Sequence, residues 1–182
     1  MTSHTTLDLG RPVAGDVIDL ILDDHRRFEH LLRMTRDSSG DRDAARHALA
    51  ALHVAHALAE EELVYPVLRR RDAITEHEAE HGEEEHAEGH EALLALLELK
   101  GTDTQAFDDA VEEVSRVVSH HLVEEELTIL NPAREEVPER TRAELGEKFA
   151  AARNRHLDEG RGTLTDVREL VRRARRDGSL PA

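Results

Sequence analysis

The chain has 182 residues, enough for one domain with a sizeable core and little room for a second. Its 40 acidic residues against 24 basic ones give a formal charge of −16, which argues against a nucleic-acid partner, because tracking phosphates needs a positive face. Cysteine is absent, so disulfides, thiolate nucleophiles, zinc ribbons and iron–sulfur clusters are excluded. Aromatics make up 2% of the chain and tryptophan is missing, which leaves no stacking platform for bases or sugars. The opening MTSHTTLDLGRPVAG lacks the basic start and apolar run of a signal peptide, and no later stretch is apolar enough to span a membrane. The expected address is the cytoplasm. Histidine stands out, with 13 copies.

Ala, Leu, Glu and Arg dominate the chain and favour helix. After a tail over 1–15, apolar spacing predicts a first helix from about Asp16 to Arg36, with Ile18, Ile21, Leu22, Phe28 and Leu32 on one face. A turn at Asp37-Ser38-Ser39-Gly40-Asp41 ends it. The second helix runs from about Arg42 to Arg70, with Leu49, Leu52, Leu63 and Val67 inward. The third begins in the acidic, His-rich EHEAEHGEEEHAEGHE, becomes apolar at Leu93, Leu94, Leu96 and Leu97, and closes at Gly101-Thr102-Asp103-Thr104. The fourth runs from about Gln105 to Arg134 on Val111, Val114, Val118, Leu122 and Ile129. Short connections between helices of similar length predict an all-α, up-down-up-down four-helix bundle over 16–136. Beyond it, 137–182 reads as a C-terminal extension of one or two helices, about Arg140 to Arg153 and Thr163 to Arg176. The basic piece VRELVRRARRDG is expected to pack on the acidic bundle, with a partner-binding tail as the alternative.

His56–Glu60 and His121–Glu125 share a spacing of four, which stacks both side chains on one helix face within reach of one metal or a metal pair. A lone HxxxE is weak in a chain rich in both residues, and His25–Glu29, His81–Glu85 and His120–Glu124 also match. Direction separates them. His56 and Glu60 continue the stripe of Leu49, Leu52, Leu63 and Val67, and His121 and Glu125 continue that of Val114, Val118, Thr128 and Ile129. A carboxylate facing a core is costly unless it is paired or binds a cation. His25 sits among Ile18, Ile21, Leu22, Phe28 and Leu32, and His86 heads the face of Leu93 and Leu96. Four helices thus point a histidine inward and two add a glutamate, a helix pair repeated. Any one of these could be a hydrogen-bonded core histidine; four at equivalent places would bury polar groups with no evident partner. Carboxylate-bridged metal pairs in bundle cores draw on such facing helices. Mixed imidazole and carboxylate ligands suit iron or manganese, with zinc as an alternative.

His25, His56-xxx-Glu60, His86 and His121-xxx-Glu125, set in LDDHRRFEHLL, HALAEEELVYP, EEHAEGHEALLALL and HHLVEEELTILNP, resemble the H-HxxxE-H-HxxxE pattern of hemerythrin-like proteins, the HHE cation-binding family. The resemblance covers about Asp16 to Pro132, with a weaker echo in AELGEKFAAAR. It implies metal ligation by those six residues, two non-haem iron ions with an oxo or hydroxo bridge, and O2, nitric oxide or peroxide as the small-molecule partner. Some positions depart from the family pattern. Asn131 stands where proline is usual, which opens His120–Glu124 as an alternative register; the apolar stripe selects His121–Glu125, because the other face carries Glu113 and Arg116. His90 replaces a common glutamate and could add or exchange a ligand; Glu29 holds the equivalent place in the first helix. Oxygen-carrying hemerythrins use more histidine ligands than the four placed here. A poorer ligand set leaves open metal positions and favours reactivity over reversible carriage. Family context brings Tyr65 near the irons, yet nine residues after His56 is about two and a half α-helical turns away.

His77-Glu78-Ala79-Glu80-His81 matches the HExxH string of zinc proteases, but it lies in a run of charges with Gly82 after it and no apolar face behind it. A solvated helix start or loop is the plainer reading, and the whole of 76–91 could instead chelate metal loosely. His4, His30, His47, His53 and His156 read as surface or boundary residues, with a reservation for His53 one turn before His56. Arg69-Arg70-Arg71 and Arg172 to Arg176 read as solvated faces or helix C-terminal charges. Three functions compete: sensing or detoxifying O2, nitric oxide or peroxide, with or without weak catalase-like turnover; iron storage, delivery or buffering; and a metal-free regulatory bundle. No nucleophile triad, phosphate loop or dinucleotide fingerprint occurs, so any catalysis would come from the metals.

Overall fold

The computed structural model describes residues 7–181, which leaves His4 outside the described part. Among these residues the secondary structure is helical, with no strand. Helix α1, Val17–Arg36, starts where Asp16 accepts the backbone N–H of Ile18, and α2, Arg42–Ala59, where Asp41 accepts that of Ala44. A π turn over Glu60–Val64 carries α2 into α3, Tyr65–Arg70. Helix α4, Glu76–Glu98, opens on a reciprocal capping box of Thr75 and Glu78, so the acidic, His-rich stretch is helical from its first residue. Helix α5, Gln105–Glu125, is capped by Thr104 and passes through a second π turn, Glu126–Leu130, into α6, Asn131–Glu136. Helices α7, Glu139–Asp158, and α8, Leu164–Asp177, complete the chain.

The two π turns have a local cause. Each is followed within two residues by a proline, Pro66 or Pro132. Proline has no N–H and its ring presses on the carbonyl four residues back. Those carbonyls belong to Glu62 and Thr128, inside the two widened turns.

Helices α1, α2, α4 and α5 pack side by side in a ring: α1 on α2, α2 on α4, α4 on α5, and α5 on α1. Helix α7 lies across α1 and α2, and α8 lies on α4. The last helix buries Val167 and Val171 and pairs Arg168 with Glu98 at 2.9 Å and Arg175 with Glu91 at 2.5 Å, as expected for a basic helix seated on an acidic bundle. Apolar side chains gather in two main clusters. One holds Val17, Ile18, Ile21, Val64, Leu68, Ala79, Ile129 and Phe149. The other holds Phe28, Leu32, Leu49, Leu52, Leu93, Leu96, Phe107, Val111, Val114 and Val118. Of the four ringed helices, α1, α2 and α4 contribute to both, while α5 joins the second and leads into the π turn whose Ile129 and Leu130 join the first; near the change from one cluster to the other each carries a buried histidine: His25, His56, His86 and His121. A polar layer therefore lies across the middle of an apolar core.

Candidate metal centre

The six residues singled out by spacing are all buried and converge in that layer. They fall into two groups, His25, His56 and Glu125 in one, and Glu60, His86 and His121 in the other, each with its donor atoms within 4.8 Å of one another. Neither carboxylate belongs to one group alone. Glu60 places Oε1 3.1 Å from Nε2 of His56 and Oε2 3.2 Å from Nε2 of His86. Glu125 places Oε2 3.1 Å from Nε2 of His25 and 3.8 Å from Nε2 of His121. Each glutamate thus spans the two groups, which is how a carboxylate sits between paired cations.

The histidines are aimed from behind. Nδ1 of each donates to a carboxylate: His25 to Glu126 at 2.8 Å, His56 to Asp24 at 3.1 Å, His86 to Glu61 at 2.8 Å and His121 to Glu85 at 3.0 Å. A carboxylate only accepts, so each Nδ1 carries a proton and Nε2 is the atom turned to the centre, the arrangement that fixes ring orientation and raises basicity in metal-ligating histidines; Nε2 of His25 also pairs with Glu125 at 3.1 Å. These four partners follow a rule that sequence reasoning missed. Asp24 and Glu85 directly precede His25 and His86; Glu61 and Glu126 directly follow Glu60 and Glu125. The repetition of an acid-His pair and an HxxxEE unit in both halves was the available signal.

Burial and charge work against each other here. Burial alone would drive His56 down, yet Glu60 and Asp24 outweigh it and push it up to about 10. The same contest, with Glu60 and Glu61, pushes His86 up to about 10. Burial would raise Glu60, but His56 and His86 hold it well below the ordinary carboxylate value. The pocket thus favours positive charge.

Five buried donor atoms at this place make no hydrogen bond: Nε2 of His56, His86 and His121, and both oxygens of Glu60. Buried polar atoms are nearly always paired, and these five belong to the two donor groups. A donor set of imidazole nitrogens and shared carboxylates, each imidazole backed by a second carboxylate, fits transition-metal cations. Over residues 16–133 the sequence matches the family described as Hemerythrin HHE cation binding domain. The chain belongs to the hemerythrin HHE family. No curated protein and no solved structure matches it closely enough to count as a relative.

Other expectations about this hemerythrin-type site resolve as follows. His121 and Glu125 are buried while the His120 side chain is 60% exposed, so the apolar stripe selected the register that faces the core. Tyr65 lies closer than α-helical spacing allows: its hydroxyl donates to Oε1 of Glu125 at 2.8 Å and its ring stacks on His86 at 5.8 Å. The π turn is the reason, because its backbone bond from Tyr65 N–H to the Glu60 carbonyl spans five residues and rotates everything beyond it. Gly82 makes room, since a Cβ there would come within 2.9 Å of the tyrosine hydroxyl. His90 is buried but joins neither group; its ring packs 5.0 Å from that of His53, and burial followed by the charge of His86 lowers it to about 3. His53 and His156, read as surface or boundary residues, are buried. His53 fits because Gly89 faces its ring, where a Cβ would approach to 2.5 Å. Glu29, His30, His47, His77 and His81 are exposed.

The remaining surprise is Arg153 on α7. It is fully buried and grips Asp24 with two bonds, Nε to Oδ2 at 2.6 Å and Nη2 to Oδ1 at 2.8 Å. Its other N–H groups reach the carbonyls of Leu9 and Gly10. The fork matches a carboxylate, so Arg153 fixes the acid that orients His56.

Proposed function

We propose that this hemerythrin-family chain holds two non-haem iron ions and binds or reacts with O2, nitric oxide or peroxide in sensing or detoxification. His25 and His56 would hold one ion and His86 and His121 the other, with Glu60 and Glu125 shared between them. The observation that carries the reading is the span of Glu60: its two oxygens face imidazoles of different groups, and neither oxygen nor either imidazole Nε2 makes a hydrogen bond. Paired irons supply electron exchange with small oxidants or nitric oxide. The chain supplies orientation, through the carboxylates on each Nδ1, and a fixed Glu125, through Tyr65. Two imidazoles per ion with shared carboxylates leave coordination positions for a small ligand.

We read the scaffold as an up-down-up-down bundle, since the ringed helices carry their apolar residues in alternating order: α1 and α4 begin with residues of the first cluster and end with those of the second, α2 does the reverse, and α5 runs from the second cluster into the π turn whose Ile129 and Leu130 belong to the first. In this reading the bundle spans 16–136, and 137–182 is an extension that lends the site Arg153. Iron content and visible absorption of protein purified in air test the function. Two irons per chain, with bands that shift on adding azide, nitric oxide or peroxide and vanish in Glu60→Ala, are expected. Zinc below one per chain, or a colourless protein that takes up no ferrous iron, would sink the reading.

A further inference from the structure

Glu85 carries an unexplained atom. Its Oε2 accepts from Nδ1 of His121 at 3.0 Å, but its Oε1 is buried and makes no hydrogen bond. Two imidazoles outside the buried centre approach that oxygen: Nε2 of His120 at 3.5 Å and Nε2 of His81 at 3.7 Å. Both separations exceed the usual hydrogen-bond range of about 2.7–3.2 Å. Each lies near the spacing of donors that share an ion, since ligand bonds of about 2.0–2.2 Å in a tetrahedral shell put neighbouring donors roughly 3.4 Å apart, while the two imidazoles stand more than 4.8 Å from each other and would have to close on a cation. His81 and Glu85 are four residues apart on α4, and His120 comes from the facing α5. Nδ1 of His81 lies 3.8 Å from Glu84, beyond hydrogen-bond range, and its Nε2 is the nitrogen nearer Glu85. The two histidine side chains are 49% and 60% exposed, which gives a cation access and lets both rings adjust around it.

We propose that His81, Glu85 and His120 form an outer, solvent-facing site for a divalent transition-metal cation, joined to the buried centre by Glu85. The site uses the HxxxE pair that the apolar stripe of α4 leaves outside the core, together with the histidine beside His121. Through the two oxygens of Glu85, a cation held there sits one carboxylate away from His121. Imidazole and carboxylate donors suit zinc, ferrous iron or cobalt, and the inference does not depend on which metal fills the core.

Isothermal titration of zinc into the iron-loaded protein reads this site directly. About one saturable equivalent per chain is expected beyond the core metal, weakened at least about ten-fold in His81→Asn and in His120→Asn, with core iron content unchanged in both. His77→Asn, one turn earlier on the same charged run, should leave it unaltered. No saturable equivalent, affinity unchanged from the unsubstituted chain in either variant, or an equal loss in His77→Asn would overturn the proposal; the last would mean diffuse chelation. Should the core take up no iron, titration of the metal-free chain still separates the two ideas, because the outer equivalent responds to His120→Asn and not to Glu60→Ala.

Discussion

The two halves of the centre repeat one design and differ in what stands behind it. In the first half Asp24 orients His56 and is itself locked by the buried Arg153, with Arg27 beside it. In the second half Glu85 orients His121 but has no arginine; the exposed His81 and His120 are its neighbours, and one of its oxygens is unbonded. Helix α7 covers the first half, whereas the second opens to solvent beside Glu85. A carboxylate at the equivalent place is therefore a structural anchor on one side and an approach on the other. Charge balance explains the asymmetry: a buried carboxylate needs a cation, fixed within the fold for Asp24 and reachable through the exposed imidazoles beside Glu85.

Four substitutions break or sharpen this contrast. Arg153→Ala should have the largest effect, because it leaves Asp24 buried against a single imidazole and a part-exposed arginine; a loss of about 3 kcal/mol in urea unfolding is expected. An unchanged midpoint would remove Arg153 from the account. Asp24→Asn and Glu85→Gln form the next comparison. Each should weaken metal binding by about 10–100-fold through a poorer Nδ1 partner, but only Asp24→Asn should also destabilise the fold, because it strands Arg153. Equal stability losses in the two would abolish the distinction between the halves. Tyr65→Phe should act least, costing about 1.5 kcal/mol for a lost bond to a charged acceptor while both metals stay in place.

Much of this was legible in the sequence, because period and polarity conflict where a metal belongs. A histidine or glutamate on the stripe of Leu52, Leu63, Val114 or Val118 is expected to face the core, and the structure buries His56, Glu60, His121 and Glu125, although Leu63 itself, within the π turn, is only half-buried. The outer carboxylates were harder to see, since Asp24, Glu61, Glu85 and Glu126 resemble any other acid among 40. Only their repetition beside the inward-facing histidines and glutamates distinguishes them. Tyr65 was misjudged for a geometric reason: 3.6 residues per turn does not hold through Glu60–Val64, and the proline that widens the turn was visible without its consequence. Arg153 lay in a polar stretch whose periodicity marked it as an added helix. Its burial depends on the long-range contact with Asp24, which no local pattern encodes.

Anomalous diffraction at the iron absorption edge, from crystals of the protein as purified, tests the central claim most directly. Two peaks are predicted, one among His25, His56 and Glu125 and one among His86, His121 and Glu60, with Glu60 and Glu125 reaching both. A single peak, or none within the helical core, would contradict a two-iron centre.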